Sequence, residues 1–266
     1  MEEACRGLRV RSLSSGSDGN CFLVCFDGAA VLIDAGVSTR AVVAGLAAEG
    51  IPEESVRAVL ITHEHADHVR SLAPIARRLK APIIANRATL NHLLPPVGAF
   101  RTAVLTTGDE MEVAGLGVRS FSVSHDAAEP VGYVLRYGGW RVGYATDTGE
   151  AGDGLRQHLL GVDLAVIEAN HDVALLLAGP YPPFLKERIL SVRGHLSNNE
   201  AAQLALDLVT ARPRSEIWLG HLSATNNTPH LALATVQERL AAAGYPTARV
   251  RVAPRGCRGP LWKASC

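Results

Sequence analysis

The run Val56-Arg57-Ala58-Val59-Leu60-Ile61-Thr62 is followed at once by His63-Glu64-His65-Ala66-Asp67-His68, which sets three imidazoles and a carboxylate at the end of an apolar segment. A continuous, β-branched run is the pattern of a strand covered on both faces. A fold holding it must lay helices or a second sheet on each side and end the strand where polar side chains can emerge. Imidazole and carboxylate are the ligands expected for Zn²⁺ and other first-row divalent ions, and a loop at a strand end can direct alternate side chains to two neighbouring sites.

The rest of the chain repeats this rhythm. Apolar runs at 8–13, 21–26 and 30–34 read as strands, with Asp27-Gly28 turning the second into the third. Ser38 caps a helix that ends at Gly50. A helix over 69–79 leads to a strand at 82–85. Strands at 118–124, 131–137 and 140–146 follow, the last two joined by Gly138-Gly139. A short helix, a strand at 163–169, a helix launched from the capping box Ser197-Asn198-Asn199-Glu200, a strand at 216–220, a helix from Thr228-Pro229 and a strand at 248–253 complete the alternation. Hairpins beside strand-helix-strand units predict an α/β fold with two mixed sheets and helices outside. No linker or repeat interrupts it, so residues 1–266 are expected to form one domain.

Composition narrows the function classes. The 266 residues carry 26 basic and 26 acidic side chains and are 47% hydrophobic, an ordinary globular balance that excludes disorder and disfavours a chain that merely coats nucleic acid. The basic residues are Arg except for Lys80, Lys186 and Lys263, and the tail holds Arg249, Arg251, Arg255, Arg258 and Lys263 without an acid. That tail either guides phosphates or forms an edge strand whose charges block sheet-to-sheet pairing. Nothing reads as a membrane span, and the acidic start lacks the apolar core of a signal peptide, so the expectation is a cytoplasmic protein. Cys5, Cys21, Cys25, Cys257 and Cys266 are too few and too scattered for a disulfide framework. Cys21 and Cys25 fall on one face of a strand and read as small core side chains.

Three further polar residues end apolar runs: His125 after Phe121-Ser122-Val123-Ser124, Asp147 after Tyr144-Ala145-Thr146, and His221 after Ile217-Trp218-Leu219-Gly220. Open α/β architectures collect functional groups at strand ends. With the first cluster they make five His and two Asp, enough for two metal ions sharing a carboxylate. His92, His158 and His230 have no such context.

In the order and setting of these residues the chain resembles the metallo-β-lactamase fold superfamily, whose signature is His-x-His-x-Asp-His followed by a distant His, an Asp and a last His. The segments Ser14-Ser15-Gly16-Ser17-Asp18-Gly19-Asn20, Ser124-His125-Asp126-Ala127-Ala128-Glu129-Pro130, Glu168-Ala169-Asn170-His171-Asp172 and Gly194-His195-Leu196-Ser197-Asn198 are similar to the YycJ-like (WalJ-like) branch, related to ribonuclease Z and to phosphoribosyl cyclic phosphodiesterases. The resemblance implies a four-layer αββα sandwich with metals at the sheet edge. It also implies one ion on His63, His65 and His125 and another on Asp67, His68 and His221, bridged by Asp147. The ions would be Zn²⁺, Mn²⁺ or Fe²⁺.

Departures narrow the branch. True β-lactamases of this fold carry Cys where Asp147 stands. The 74 residues from Asp147 to His221 leave no room for the extra domain of larger nucleases. Where ribonuclease Z has His-Glu-Ala-Thr, this chain has Ile167-Glu168-Ala169-Asn170. The activity implied is a dinuclear phosphodiesterase in which a metal-bridged hydroxide attacks a phosphodiester, in the form of a 5′-to-3′ DNA exonuclease. The alternative is a small-molecule hydrolase, of a cyclic phosphodiester or a thioester, using the same site. The substrate is then DNA or a small phosphodiester, with no membrane partner. Asp67 would orient the nucleophile. His195 is the first candidate for proton donor, beside a helix N-terminus whose free N–H groups favour phosphate, and His171 is the second. Ser15, Gly16 and Asn20, in a loop that could cradle phosphate as a backbone nest, together with Asn170 and Ser223, are the candidate substrate-binding residues.

Overall fold

The computed structural model describes residues 7–93 and 100–264. The acidic start with Cys5, and Cys266, lie outside them. The first half builds β1 (Arg9–Ser14), β2 (Cys21–Phe26), β3 (Ala29–Ile33), α1 (Thr39–Ala48), β4 (Val56–Leu60), α2 (Ala66–Val69), α3 (Leu72–Leu79), β5 (Ile83–Ala85), α4 (Arg87–His92) and β6 (Thr102–Val104). The second half builds β7 (Glu110–Val113), β8 (Leu116–Ser122), β9 (Val131–Tyr137), β10 (Trp140–Ala145), α5 (Asp153–Leu159), β11 (Leu164–Glu168), α6 (Val173–Ala178), α7 (Pro183–Leu190), α8 (Asn198–Ala211), β12 (Glu216–Gly220), α9 (Pro229–Ala242), β13 (Arg249–Val252) and β14 (Leu261–Lys263).

The strands form two seven-stranded mixed sheets, ordered β14-β1-β2-β3-β4-β5-β6 and β13-β12-β11-β10-β9-β8-β7. In the first, β3 to β6 run parallel; in the second, β10 to β13 do. Side-chain alternation splits each strand between two cores. Phe22, Val24 and Phe26 face the second sheet and pack with Tyr133, Tyr144, Val166 and Trp218. Cys21, Leu23 and Cys25 point the other way, into a layer with Val42 and Leu46 of α1 and Ile75 and Leu79 of α3. On the far side Ile167, Ile217 and Leu219 pack under Leu204 and Leu208 of α8 and Val236 and Leu240 of α9. This is the four-layer αββα arrangement, and the two cysteines take the core places expected for them.

Local chemistry explains the turns. Asp27 and Gly28 both have positive φ, 43° and 77°, as a tight two-residue hairpin requires. Ser38 caps α1 by accepting from the backbone N–H of Ala41, and Ser197 and Glu200 close the capping box of α8. The helix expected over 69–79 is two helices. Pro74 lacks an N–H and its ring crowds the carbonyl of residue 70, so it tolerates only the first turn of a new helix. Ser71 lies between the two, its N–H donated to the carbonyl of Ala35 at 3.0 Å. The run 56–62 ladders only to Leu60, after which Thr62 N donates to the Asp34 carboxylate. The short strands β6 and β14 and the polar β7 are additions to the expected order. The tail supplies an edge strand to each sheet, β13 and β14.

Candidate active site

Because β3, β4, β8, β10, β11 and β12 all point one way, their C-terminal ends share one edge of the sandwich, and a polar residue stands at each. Asp34 follows β3, His63 follows β4, His125 follows β8, Asp147 follows β10, Glu168 ends β11 and His221 follows β12. Asp34, Asp147 and His221 adopt positive φ of 61°, 53° and 54°, conformations uncommon outside glycine that turn each side chain sharply off its strand.

The His63–His68 loop is pinned from below. Ala35 N donates to the carbonyl of His68 at 2.7 Å, Asn20 N to that of Asp67 at 2.8 Å, and Gly36 N to that of Asn20 at 2.9 Å. A Cβ on Gly36 would lie 1.7 Å from the Asp67 carbonyl oxygen, so only glycine allows this approach.

Nine side chains converge above this base. Imidazole nitrogens and carboxylate oxygens of His63, His65 and His125 form one group within 4.8 Å of one another; Asp67, His68 and His221 form a second; and Asp147 joins groups with His63 and His68, and with Glu168, His195 and His221. Asp147 Oδ2 lies 3.0 Å from His68 Nε2, and Oδ1 lies 3.7 Å from His125 Nε2 and 3.4 Å from His221 Nδ1. The back of each ring is already engaged. His68 Nδ1 donates to Asp34 at 2.8 Å, His125 Nδ1 to the carbonyl of Gly194 at 3.1 Å, and His221 Nδ1 to Glu168 at 2.9 Å. Their Nε2 atoms face inward as lone-pair donors, the second-sphere arrangement of metal sites. His63 Nε2 is buried with no hydrogen-bond partner. His125 Nε2 and His65 Nδ1 meet at 3.3 Å, so two ring nitrogens point at a common place where a cation could take both lone pairs. The donor set fits divalent ions.

The electrostatics agree. Burial alone would raise the Asp147 carboxyl, but His221 and His68 hold it well below the usual carboxylate range, and Asp67 is likewise held down by His221 and His68. Burial and the neighbouring His68 drive His63 well below the ordinary imidazole value. The same carboxylates push His68 and His221 well above the ordinary imidazole value, so protonated rings supply the positive charge these buried acids require, a place that divalent ions can take with the rings neutral.

Two residues that complete the site carried no role in the sequence reading. Asp34, fully buried, accepts from Thr62 N, Thr62 Oγ1 and His68 Nδ1. Glu168, also fully buried, accepts from Thr148 N at 2.8 Å through Oε2 and from both His195 and His221 through Oε1. The signal was present: each is a lone acid closing an apolar run, as Asp147 is.

The pocket in front of the cluster has a volume of about 260 Å³. Its floor is the ligand cluster with His195, and Ser17, Asn170 and Ser223 lie at its rim. Its wall is Tyr181, with Leu185, Arg188 and Ile189 of α7, a helix absent from the expected order. Several expected placements do not hold. Ser15, Gly16 and Asn20 are buried and stay out of the pocket: Ser15 Oγ accepts from His221 N, and Asn20 bonds Gly16 and Asp67. Of the loop's N–H groups, Gly16 N is spent on Asn20 Oδ1 and Gly19 N on the Gly16 carbonyl, and the part of the loop that reaches the pocket is Ser17. His171 is buried away from the pocket, pairing its backbone with Ser197. The N-terminus of α8 is also occupied, with Ser197 N on Glu200 and Asn198 N on the His171 carbonyl.

A fold of two mixed sheets bearing a His/Asp cluster at one edge defines a metal-dependent hydrolase of the metallo-β-lactamase class. Residues 29–214 match the family model described as "Beta-lactamase superfamily domain", and the chain belongs to that family. It is 37% identical over 242 residues to "Exodeoxyribonuclease YycJ" of Bacillus anthracis, covering 90% of this chain and 91% of the relative. It is 35% identical to "Exodeoxyribonuclease WalJ" of Streptococcus pneumoniae, covering 89% and 90%. Among solved structures, the metallo-beta-lactamase fold protein YhfI from Bacillus subtilis superposes with a TM-score of 0.74 at 16% identity, covering 97% of this chain and all of that one. Among the described residues no helix is long and apolar enough to cross a membrane.

Proposed function

We propose that the chain is a 5′-to-3′ exodeoxyribonuclease working with two divalent ions, one held by His63, His65 and His125, the other by Asp67, His68 and His221, with Asp147 shared. The observation that carries this reading is the Glu168 oxygen that joins His221, a proposed ligand, to His195, which lines the pocket. The names of the two relatives supply the substrate class. Bound divalent ions supply a nucleophile near neutral pH and neutralise phosphoryl charge.

The chain's own groups do the rest. Burial alone would lower the His195 pKa, but the Glu168 charge outweighs it and raises it, which favours the protonated ring that can donate from Nε2 to the leaving oxygen. Arg188, held by Asp126 at 2.5 Å, turns a guanidinium toward the pocket to meet phosphate oxygens. Ser17, Asn170 and Ser223 offer hydrogen bonds, and Tyr181 and Leu185 give an apolar wall for a base or sugar. A cavity of about 260 Å³ seats one terminal nucleotide better than an internal segment, which favours attack from an end.

The test is cleavage of end-labelled single-stranded DNA bearing a 5′-phosphate, with Mn²⁺ or Zn²⁺, beside a cyclic phosphodiester and a His65→Ala control. Stepwise release of mononucleotides by the wild type alone supports the exonuclease. Turnover of only the cyclic substrate replaces it with a small-molecule phosphodiesterase.

A further inference from the structure

A second cavity, of about 660 Å³, opens at the opposite end of the second sheet, where β10, β11, β12 and β13 begin. Glu216 lines it and His221 stands at the catalytic edge of the same strand, so the two openings are roughly 17 Å apart at about 3.3 Å per strand residue. Five cations surround it, against two carboxylates. Both acids are spent: Asp163 accepts from Arg212, and Glu216 pairs with Arg251 at 3.1 Å and accepts from Trp218 at 2.7 Å. Arg214, Arg249 and Lys263 are exposed, and their side chains make no hydrogen bond or ion pair among the described residues.

Blocking edge pairing would account for charges on β13 and β14, but not for Arg214, which comes from the loop after α8, nor for a cavity this size. Two copies of such a surface would repel each other, so the charge calls for an anion. The cations also form a line. From Arg249 and Arg251 the tail follows β13 toward the catalytic edge, where the Arg255 side chain lies over Gly16 and 3.4 Å from Asp18. The neighbouring Ser17 lines the catalytic pocket. A small anion needs one cluster; a track that runs from a distant groove to the catalytic mouth suits a polyanion.

We infer that this groove and the basic tail bind the phosphate backbone of the DNA substrate away from the end being cut, so that Arg214, Arg249 and Lys263 form a substrate-holding site distinct from the metal centre. The inference rests on the exonuclease reading and extends it to how long substrates are retained. Each phosphate contact to single strands contributes about 0.7 to the slope of log affinity against log salt.

The combined variant Arg214→Ala, Arg249→Ala, Lys263→Ala tests this. Binding of a fluorescent strand of about 30 nucleotides, in EDTA and by anisotropy, should weaken roughly thirtyfold, with the salt slope reduced by about 2. In metal-loaded protein, KM for the long strand should rise while kcat/KM for a trinucleotide stays at the wild-type value. Unchanged long-strand affinity and salt slope, in an enzyme that degrades DNA, overturn the inference and leave the activity standing. Equal losses on the trinucleotide also overturn it, because the cations would then act on the catalytic pocket. A wild type that neither binds nor degrades DNA removes both readings.

Discussion

Nδ1 of His195 donates to Oε1 of Glu168 at 2.8 Å. That oxygen also receives His221, so one buried carboxylate aims a candidate acid and a candidate ligand from behind. Glu168→Gln keeps an oxygen for the ring but withdraws the charge behind it, and kcat at saturating metal should fall about a hundredfold. The sign of the pH effect follows from the direction of the shift. A raised pKa keeps His195 protonated above the ordinary histidine value of about 6.5, so the alkaline limb of kcat lies above that value in the wild type. Without the carboxylate charge, that limb moves to lower pH. A profile that does not move would assign the proton to another group.

Asp34 plays the same part for His68 at 2.8 Å, in full burial. The substitution Asp34→Asn keeps an oxygen for Thr62 but withdraws the charge behind the ring. Competition with a chromogenic chelator should show metal affinity lower by about 10- to 100-fold, the usual effect of losing such a partner. Wild-type affinity would mean that His68 is not a ligand or is oriented by other contacts.

Gly36→Ala tests packing with no change of chemistry. The new methyl carbon would meet the Asp67 carbonyl oxygen at 1.7 Å and Asn20 N at 2.7 Å, both backbone atoms, so the metal loop must shift. Overpacking of this kind costs about 1–3 kcal/mol. At about 2–4 °C per kcal/mol for a chain of this size, thermal unfolding should drop by roughly 2–12 °C, with metal content falling in parallel. An unaltered unfolding curve would show that the loop has room the structure does not.

His65 is half-exposed at the front of the cluster and carries little of the core. His65→Ala should abolish turnover while far-ultraviolet circular dichroism stays that of the wild type. A folded variant with reduced metal and full rate would sink the metal mechanism. Chelation of the wild type should lower thermal stability as well as activity, since ions that bind only the native state at a hundred times their Kd stabilise it by about 2.7 kcal/mol.

How far the sequence could be read follows from what each feature depends on. The strands at 21–26, 131–137 and 216–220 were legible to the residue, because each carries a run of four or more apolar or small residues bounded by a polar or charged residue or a turn, as at Asp27, Arg136 and Glu216. Caps at Ser38 and Ser197 were legible because their hydrogen bonds close within four residues. The polar strand β7, the three-residue β6 and β14, and the helices α6 and α7 were not, since pairing or docking with distant segments holds them rather than any local period. Pro74 was a readable break that the apolar periodicity around it concealed.

The site divides in the same way. That His63, His65, Asp67, His68, His125, Asp147 and His221 all end strands was written in the chain, since a buried strand must stop before its first costly polar group. Which ring nitrogen faces inward was decided only in three dimensions, by Asp34, Gly194 and Glu168 behind the rings. Tertiary structure also decided that Asn20 and Ser15 brace the cluster from within, that α7 walls the pocket, and that the basic tail divides between two edge strands. A side chain's type and its place at a strand end are local properties of sequence. Its partner is whatever the folded chain brings within 3 Å, and that depends on the register and direction of strands far apart along the chain.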